Sequence, residues 1–296
     1  MRRLLIAPMV VVFAAGLAAC GSSASTSTTT TLAPSGSTTA TGPLGASCSN
    51  SAIQGELYRK GVLTVATDNP VYTPWFVNNH PENGQGYEAA VAYGVAADLG
   101  FTRSQVKWTY EPFNDSYAPG PKAFDFDINE ISVTSARAQE VTFSISYYAD
   151  NQALVVLKNG PVAHDHSPAA LKTYQYGDQI GTTSLAYINQ YIQPTHQTRI
   201  YGSLNDVKSA LDTHQIQAFV TDTPTAQYIA ADEIPGSEVV GQFPSTGEHF
   251  GLLFHKGNPL VSCVDKALQY LTTNGSLASY SKKYLLVYNT IPTIEP

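Results

Sequence analysis

Short apolar runs alternate with amphipathic stretches over most of the chain. Residues 61–67 (Gly-Val-Leu-Thr-Val-Ala-Thr) open on a glycine and close on the turn signal Asp68-Asn69-Pro70, which predicts a buried strand with a polar loop at its carboxyl end. Over residues 87–99, Ala90, Val91, Gly94, Val95 and Leu99 recur at helical spacing, and Gly100 stops the helix. Residues 106–110 are the next strand, completing a β-α-β unit, and residues 127–134 predict another that leads into a helix near Arg137. Past residue 150 the pattern begins again. Strands are expected at 153–157, at Gln179-Ile180-Gly181 and at 218–221, with helices at 185–192, 205–211 and 223–229, the last with Pro224 in its first turn. Residues 250–254 form a late strand, and 260–271 and 276–284 form helices. This alternation predicts an α/β architecture with ligand loops at the carboxyl ends of strands.

The N-terminus has a different texture. Arg2 and Arg3 precede 16 uncharged residues, 4–19, fewer than the roughly 20 a membrane-crossing helix needs, and Pro8 and Gly16 interrupt them. Residues 1–19 are therefore a secretory signal peptide. The run closes on Leu17-Ala18-Ala19-Cys20-Gly21, which resembles the bacterial lipoprotein signal and implies that Cys20 is lipidated and becomes the mature N-terminus. The alternative is a small-residue cleavage site with an incidental cysteine. Of residues 21–47, 15 of 27 are Ser or Thr and none is charged, so 20–47 is a flexible tether to a body running from about residue 48 to 296. With Cys20 spent on lipid, Cys48 and Cys263 remain, and outside the cytoplasm such a remainder is expected to pair. Two unrelated buried thiols are the alternative.

A chain of 296 residues suggests two lobes at the usual scale of about 100 to 200 residues per domain. Its charge is 16 minus 23, or −7, and without residues 1–19 it is 14 minus 23, or −9. An acidic chain with few Lys and Arg lacks the footprint that a phosphate backbone demands, which excludes nucleic acid as a partner. Enzyme signatures are absent too: there is no Gly-x-Ser-x-Gly, His-Glu-x-x-His or Walker loop. Gly84-Gln85-Gly86-Tyr87-Glu88-Ala89 fits the loose dinucleotide pattern but follows a loop where a strand is required. His164-Asp165-His166 has no third ligand nearby. No cofactor and no metal is expected.

Three features point to one kind of ligand. Ser132-Val133-Thr134-Ser135-Ala136-Arg137 puts hydroxyls at a strand's end and then an arginine, a planar donor suited to a carboxylate. Gly181-Thr182-Thr183-Ser184 offers backbone N–H groups and hydroxyls at a helix start. Asp222, at the end of the 218–221 strand, can accept from an ammonium group. Each has a plain structural alternative: a surface arginine, ordinary helix capping, and a local bond to the helix start at Thr223-Pro224. Jointly they are complementary to an α-amino acid zwitterion.

With these residues in view, the chain resembles the extracytoplasmic solute-binding proteins of polar amino acid ABC transporters, the family 3 type, over about residues 57–285. The landmarks are Leu63-Thr64-Val65-Ala66-Thr67-Asp68, Gly86-Tyr87-Glu88, Ser132 to Arg137 with Val141-Thr142-Phe143-Ser144 and Tyr147-Tyr148, Gly181-Thr182-Thr183, and Thr221-Asp222-Thr223-Pro224. The resemblance implies a two-lobed clamp of the periplasmic-binding-protein type II, each lobe a mixed sheet flanked by helices, with hinge crossings near 147–151 and 247–251. Lobe one is then 48–149 and 250–296, and lobe two is 150–249. It also implies roles: Arg137 for the ligand α-carboxylate, Ser132 as its hydrogen-bonding partner, Thr182 and Thr183 on the loop that closes from lobe two, Asp222 for the ammonium group. Asp68, Tyr72 and Trp75 occupy the loop that usually lines the side-chain pocket. The chain departs from the family where Glu130 replaces a small residue and Asn114 an aromatic, with Tyr117 close by. A Pro119-Gly120-Pro121 loop stands in place of a short helix, and the Tyr72 region is one residue longer than usual.

These features predict a monomeric, lipid-anchored protein on the outer face of the cell membrane that captures a free amino acid for a permease and does no chemistry on it. The alternatives are a sensory subunit for a membrane receptor and a dehydratase-type enzyme using Glu130 or His249. Two carboxylates, Asp68 and Glu130, facing one cavity would favour a cationic side chain such as arginine, lysine or ornithine. A neutral amide such as glutamine would serve if one of them bonds to the protein or Glu130 points to solvent.

Overall fold

The computed structural model describes residues 43–285 and 291–296. The signal peptide, Cys20 and the tether as far as residue 42 lie outside the described residues. The first sheet draws on β1 (Leu63–Thr67), β2 (Val106–Tyr110), β3 (Phe126–Asp127) and β4 (Thr142–Ala149), with α1 (Tyr87–Asp98), α2 (Phe113–Ser116) and α3 (Ser135–Glu140) between them. The chain then passes through Asp150 and Asn151 into β5 (Gln152–Leu157), followed by α4 (Pro161–His164), α5 (Pro168–Leu171), β6 (Gly177–Gln179) and α6 (Thr183–Tyr187). Next come β7 (Arg199–Tyr201), α7 (Leu204–Asp212), β8 (Ala218–Asp222), α8 (Thr223–Tyr228) and β9 (Ser237–Gln242). A second crossing leads to β10 (His249–Phe254), α9 (Val261–Thr273) and α10 (Ser276–Tyr284).

Two sheets result, each in its own lobe. The first has the order β2-β1-β3-β10-β4, with β1 parallel to β2 and β3 while β10 runs antiparallel to β3 and β4. The second has the order β8-β5-β9, all antiparallel, and the parallel pair β6-β7 joins it through a bridge between Tyr176 and Ala218. This is the mixed α/β, two-lobed architecture that the sequence predicts.

The apolar runs explain themselves. Along β5, Leu154 and Val156 enter the core under α4, α5 and α6, while Ala153 and Val155 enter the core under α7 and α8. Successive strand residues point to opposite faces, so a strand covered on both sides reads as an unbroken apolar run. The same holds for β1, all five residues of which are buried. Around α1, α9 and β1 the largest core gathers Trp75, Phe76, Tyr87, Phe126, Phe250 and Phe254. Cys48 and Cys263 are bonded, with Cα atoms 5.4 Å apart, so the start of the body is joined to α9.

Three differences from the sequence pattern have physical causes. The strand expected over 127–134 stops at Asp127, because Glu130 takes a left-handed backbone (φ 52°) and only Ser132 returns to the sheet, as a single bridge to Phe250. Strands β4, β7 and β9 were not anticipated, since few of their residues are fully buried and their apolar periodicity is weak. Finally, the chain end does not stay with the first sheet, as expected for 250–296. The Gln242 N–H donates to the Pro292 carbonyl and the Ile294 N–H to the Gln242 carbonyl, both at 2.8–2.9 Å, and Ile291 and Ile294 pack into the cores of the second lobe.

Candidate ligand cleft

Residues from both lobes line a cleft of about 580 Å³, counted with the solvent at its mouth. Nearly all of them sit where a strand gives way to a loop or helix: Asp68 after β1, Phe113 after β2, Glu130 after β3, Gln179 at the end of β6, Thr182 before α6, Asp222 at the end of β8. Placement outside the carboxyl ends of strands is the general position for ligand sites in α/β sheets.

Four carboxyl groups line this cleft, Asp68, Glu130, Asp178 and Asp222, and none of the lining residues is Lys, Arg or His. Burial raises the pKa of each of the four. For Glu130 the neighbouring Glu88 and Asp222 add to burial and hold it well above the usual carboxylate range. Asp222 is pushed up to about 7, by burial first and then by Glu248. Like charges in a partly desolvated space retain protons until something positive arrives.

Behind the cleft wall a polar network joins the lobes. Gln152, at the first crossing, donates from Nε2 to Asp222 Oδ1 at 3.1 Å and to Glu248 Oε2 at 2.8 Å, while its Oε1 accepts from the Ser184 hydroxyl at 2.7 Å. The Ser132 hydroxyl donates to Glu248 Oε1 at 2.6 Å and lies 3.2 Å from the Thr183 hydroxyl. Thr182 caps α6 by accepting from the Leu185 N–H.

Of the residues singled out from the sequence, Asp68, Tyr72, Glu130, Thr182, Thr183 and Asp222 line the cleft. Arg137 stands just beyond it. Its Nη1 donates to the Ser132 carbonyl at 2.8 Å and its Nη2 to the Gly181 carbonyl at 2.9 Å, with the guanidinium 4.4 Å from the Tyr117 ring centre and 5.3 Å from that of Phe113. Asn114 and Tyr117 also face Gly181, whose φ of 81° suits glycine and where a Cβ would collide with both side chains.

Trp75 does not line the cleft. It is fully buried and packs edge-on against Tyr87, Tyr148 and Phe250, with its indole N–H donating to the Thr225 hydroxyl at 2.7 Å. An aromatic in a polar loop looks like a ligand platform, but here the loop folds its ring back into the core. His249 lies off the cleft as well, its Nδ1 2.9 Å from the Gly247 carbonyl. Sequence reasoning missed Phe113, Asn129, Asp178, Gln179 and Leu204 on the wall and Gln152 and Glu248 behind it. Asp178 carried a signal, an acid inside a short buried strand that precedes a glycine turn.

Residues 63–287 match the family described as bacterial extracellular solute-binding proteins, family 3. The chain belongs to that family. Among curated relatives of this family 3 protein is the histidine-binding periplasmic protein of Salmonella typhimurium, 25% identical over 232 residues that cover 75% of this chain and 86% of the relative. The lysine/arginine/ornithine-binding periplasmic protein of Escherichia coli is 28% identical over 206 residues, covering 64% of this chain and 78% of the relative. Among solved structures, an ancestral arginine-binding protein bound to arginine superposes with a TM-score of 0.64 at 26% identity, covering 76% of this chain and 98% of that one. The family is extracytoplasmic, and no helix among the described residues is long and apolar enough to cross a membrane.

Proposed function

We propose that this family 3 protein captures a basic amino acid in the interlobe cleft and hands it to the permease of an ABC importer, held at the outer face of the membrane by lipid on Cys20. The observation that carries the choice of ligand is the set of four carboxyls on the cleft wall with no cationic side chain among them. A cationic side chain between Asp68 and Glu130 relieves their mutual repulsion and replaces their lost hydration. The histidine-binding and lysine/arginine/ornithine-binding relatives and the arginine-bound structural neighbour support the same class.

In this reading the lobes divide at the two crossings, with residues 48–149 and 250–285 in the first lobe and 150–249 in the second, and the segment 291–296 laid on the second. Arg137 exchanges the Gly181 carbonyl for the ligand α-carboxylate, with Ser132, Thr182 and Thr183 around it, and Asp222 receives the ammonium group. Asn114 and Tyr117 shape the approach of the Gly181 loop. Free amino acids screened by thermal shift at pH 8 test the reading. Arginine, lysine, ornithine or histidine should stabilise the protein by about 2.7 kcal/mol at a hundredfold excess over Kd, and the recovered amino acid should be chemically unchanged. Stabilisation by glutamate or aspartate alone would overturn it.

A further inference from the structure

Glu130 adopts a left-handed backbone, which a residue with a full side chain avoids unless its surroundings hold it there. Glu88 supplies that hold. The Glu130 N–H donates to Glu88 Oε1 at 2.7 Å, and the Tyr147 hydroxyl donates to the same oxygen. Glu88 stands in the first turn of α1 and is completely buried, so this acceptor is fixed by the core of the first lobe. From the other side, the Thr225 hydroxyl on α8 donates to Glu130 Oε2 at 3.1 Å while accepting from Trp75. Glu130 is thus held at its amide by one lobe and at its carboxyl by the other, with the side chain on the cleft wall.

We infer that Glu88 is a positioning residue for ligand selectivity, which aims Glu130 into the cleft and governs whether that carboxyl is charged when a cationic ligand arrives. The inference rests on the reading of the cleft as a basic amino acid site. The titratable groups that face Glu130 are acidic or phenolic on every side: Glu88 from α1, Asp222 from β8, Asp68 from the loop after β1, Tyr72 from the same loop and Tyr147 from β4. The nearby cation, Arg137, acts on Asp222, and Asp222 is opposed in turn by Glu248. After burial, Glu88 is the largest influence that keeps a proton on Glu130. Glu88 itself is pushed up to about 8 by burial, against the lowering effect of its bonds from Tyr147 and Glu130.

Glu88 repels the Glu130 carboxylate only once it is itself ionised, so removing this acid should strengthen cation binding above about pH 8. Glu88→Gln keeps the volume and an acceptor for the Glu130 amide and deletes the charge. In ligand-free protein, carboxyl carbon-13 NMR of Glu130, assigned with Glu130→Gln, should titrate at least about one pH unit lower in Glu88→Gln than in wild type. At pH 9 the variant should bind arginine about tenfold more tightly than wild type and at pH 6 within about threefold, with the neutral isostere citrulline unchanged at both. Tyr147→Phe, which removes a donor from Glu88 and so favours its protonated form, should move the Glu130 midpoint in the same direction and serves if the first variant does not fold. An unmoved Glu130 midpoint overturns the inference whatever the ligand proves to be, as does an equal change in arginine and citrulline binding. If wild-type protein ignores arginine at every pH, the basic-ligand reading and the selectivity half of the inference both fall, and the carboxyl titration still decides the positioning half.

Discussion

Asp222 has opposing effects in the free and the liganded protein. Free, it is buried near Glu248 and Asp150, and its pKa rises to about 7; liganded, in the proposed reading, it is the counter-charge of the ammonium group. Asp222→Asn should therefore raise the melting temperature of the ligand-free protein at pH 8 while weakening arginine binding by about 2 to 5 kcal/mol, since it leaves one ligand charge unpaired. Calorimetry and thermal melts on the same sample check both signs, and a variant that binds within twofold of wild type removes Asp222 from the site. The positions of Asp68 and Asp222 were legible because each is a polar group at the end of an apolar strand, where a loop must open, and that of Thr182 because hydroxyls follow a glycine at a helix start. Arg137 was legible as a residue but not in its geometry. Nothing in its sequence neighbourhood shows that Gly181, 44 positions away, approaches closely enough to take one of its donors. Glu88 was read as a landmark but given no role, because an acid in the first turn of a helix usually favours the helix dipole from solvent, whereas this one is sealed inside the core.

At the scale of elements, the two-sided burial of β1, β5 and β8 wrote itself into the chain as apolar runs, and α1 and α9 as spaced apolar positions ended by Gly100 and Gly275. Edge elements left no such trace: β7 has three residues, two of them exposed, and β9 lies at the margin of its sheet. The bond between Cys48 and Cys263 ties the turn at Ala46–Cys48, which the sequence did not announce, to α9 across 215 positions. Closing a loop of that length restricts the unfolded chain by on the order of 5 kcal/mol at most. Denaturant titration of the Cys48→Ser, Cys263→Ser double variant should show a loss of stability up to that size with ligand affinity retained. Wild-type stability in the double variant would mean that the link constrains nothing that matters to folding. The return of Ile291 and Ile294 to the second lobe was invisible in the sequence, because two isoleucines among prolines and polar residues fit any apolar surface.

For the whole molecule, the buried carboxyls set an unusual direction of pH dependence. Glu88 rises from 4.5 to about 8 and Asp222 from 3.8 to about 7 on folding. Between the unfolded and folded values the native state binds more protons than the unfolded state, so stability falls as pH rises through that window. Ligand-free protein should accordingly melt at progressively lower temperature from about pH 4.5 to pH 8, and a basic amino acid should offset the decline at the upper end. A ligand-free stability that climbs over the same range would show that these carboxyls are ionised and compensated. The most direct test of the central claim, that a carboxyl-lined cleft selects a positive side chain, is a pair of calorimetric titrations at pH 8 with arginine and with citrulline, which differ chiefly in that charge. The account predicts that arginine binds at least about tenfold more tightly, a difference of about 1.4 kcal/mol or more; equal affinities, or tighter binding of citrulline, would contradict it.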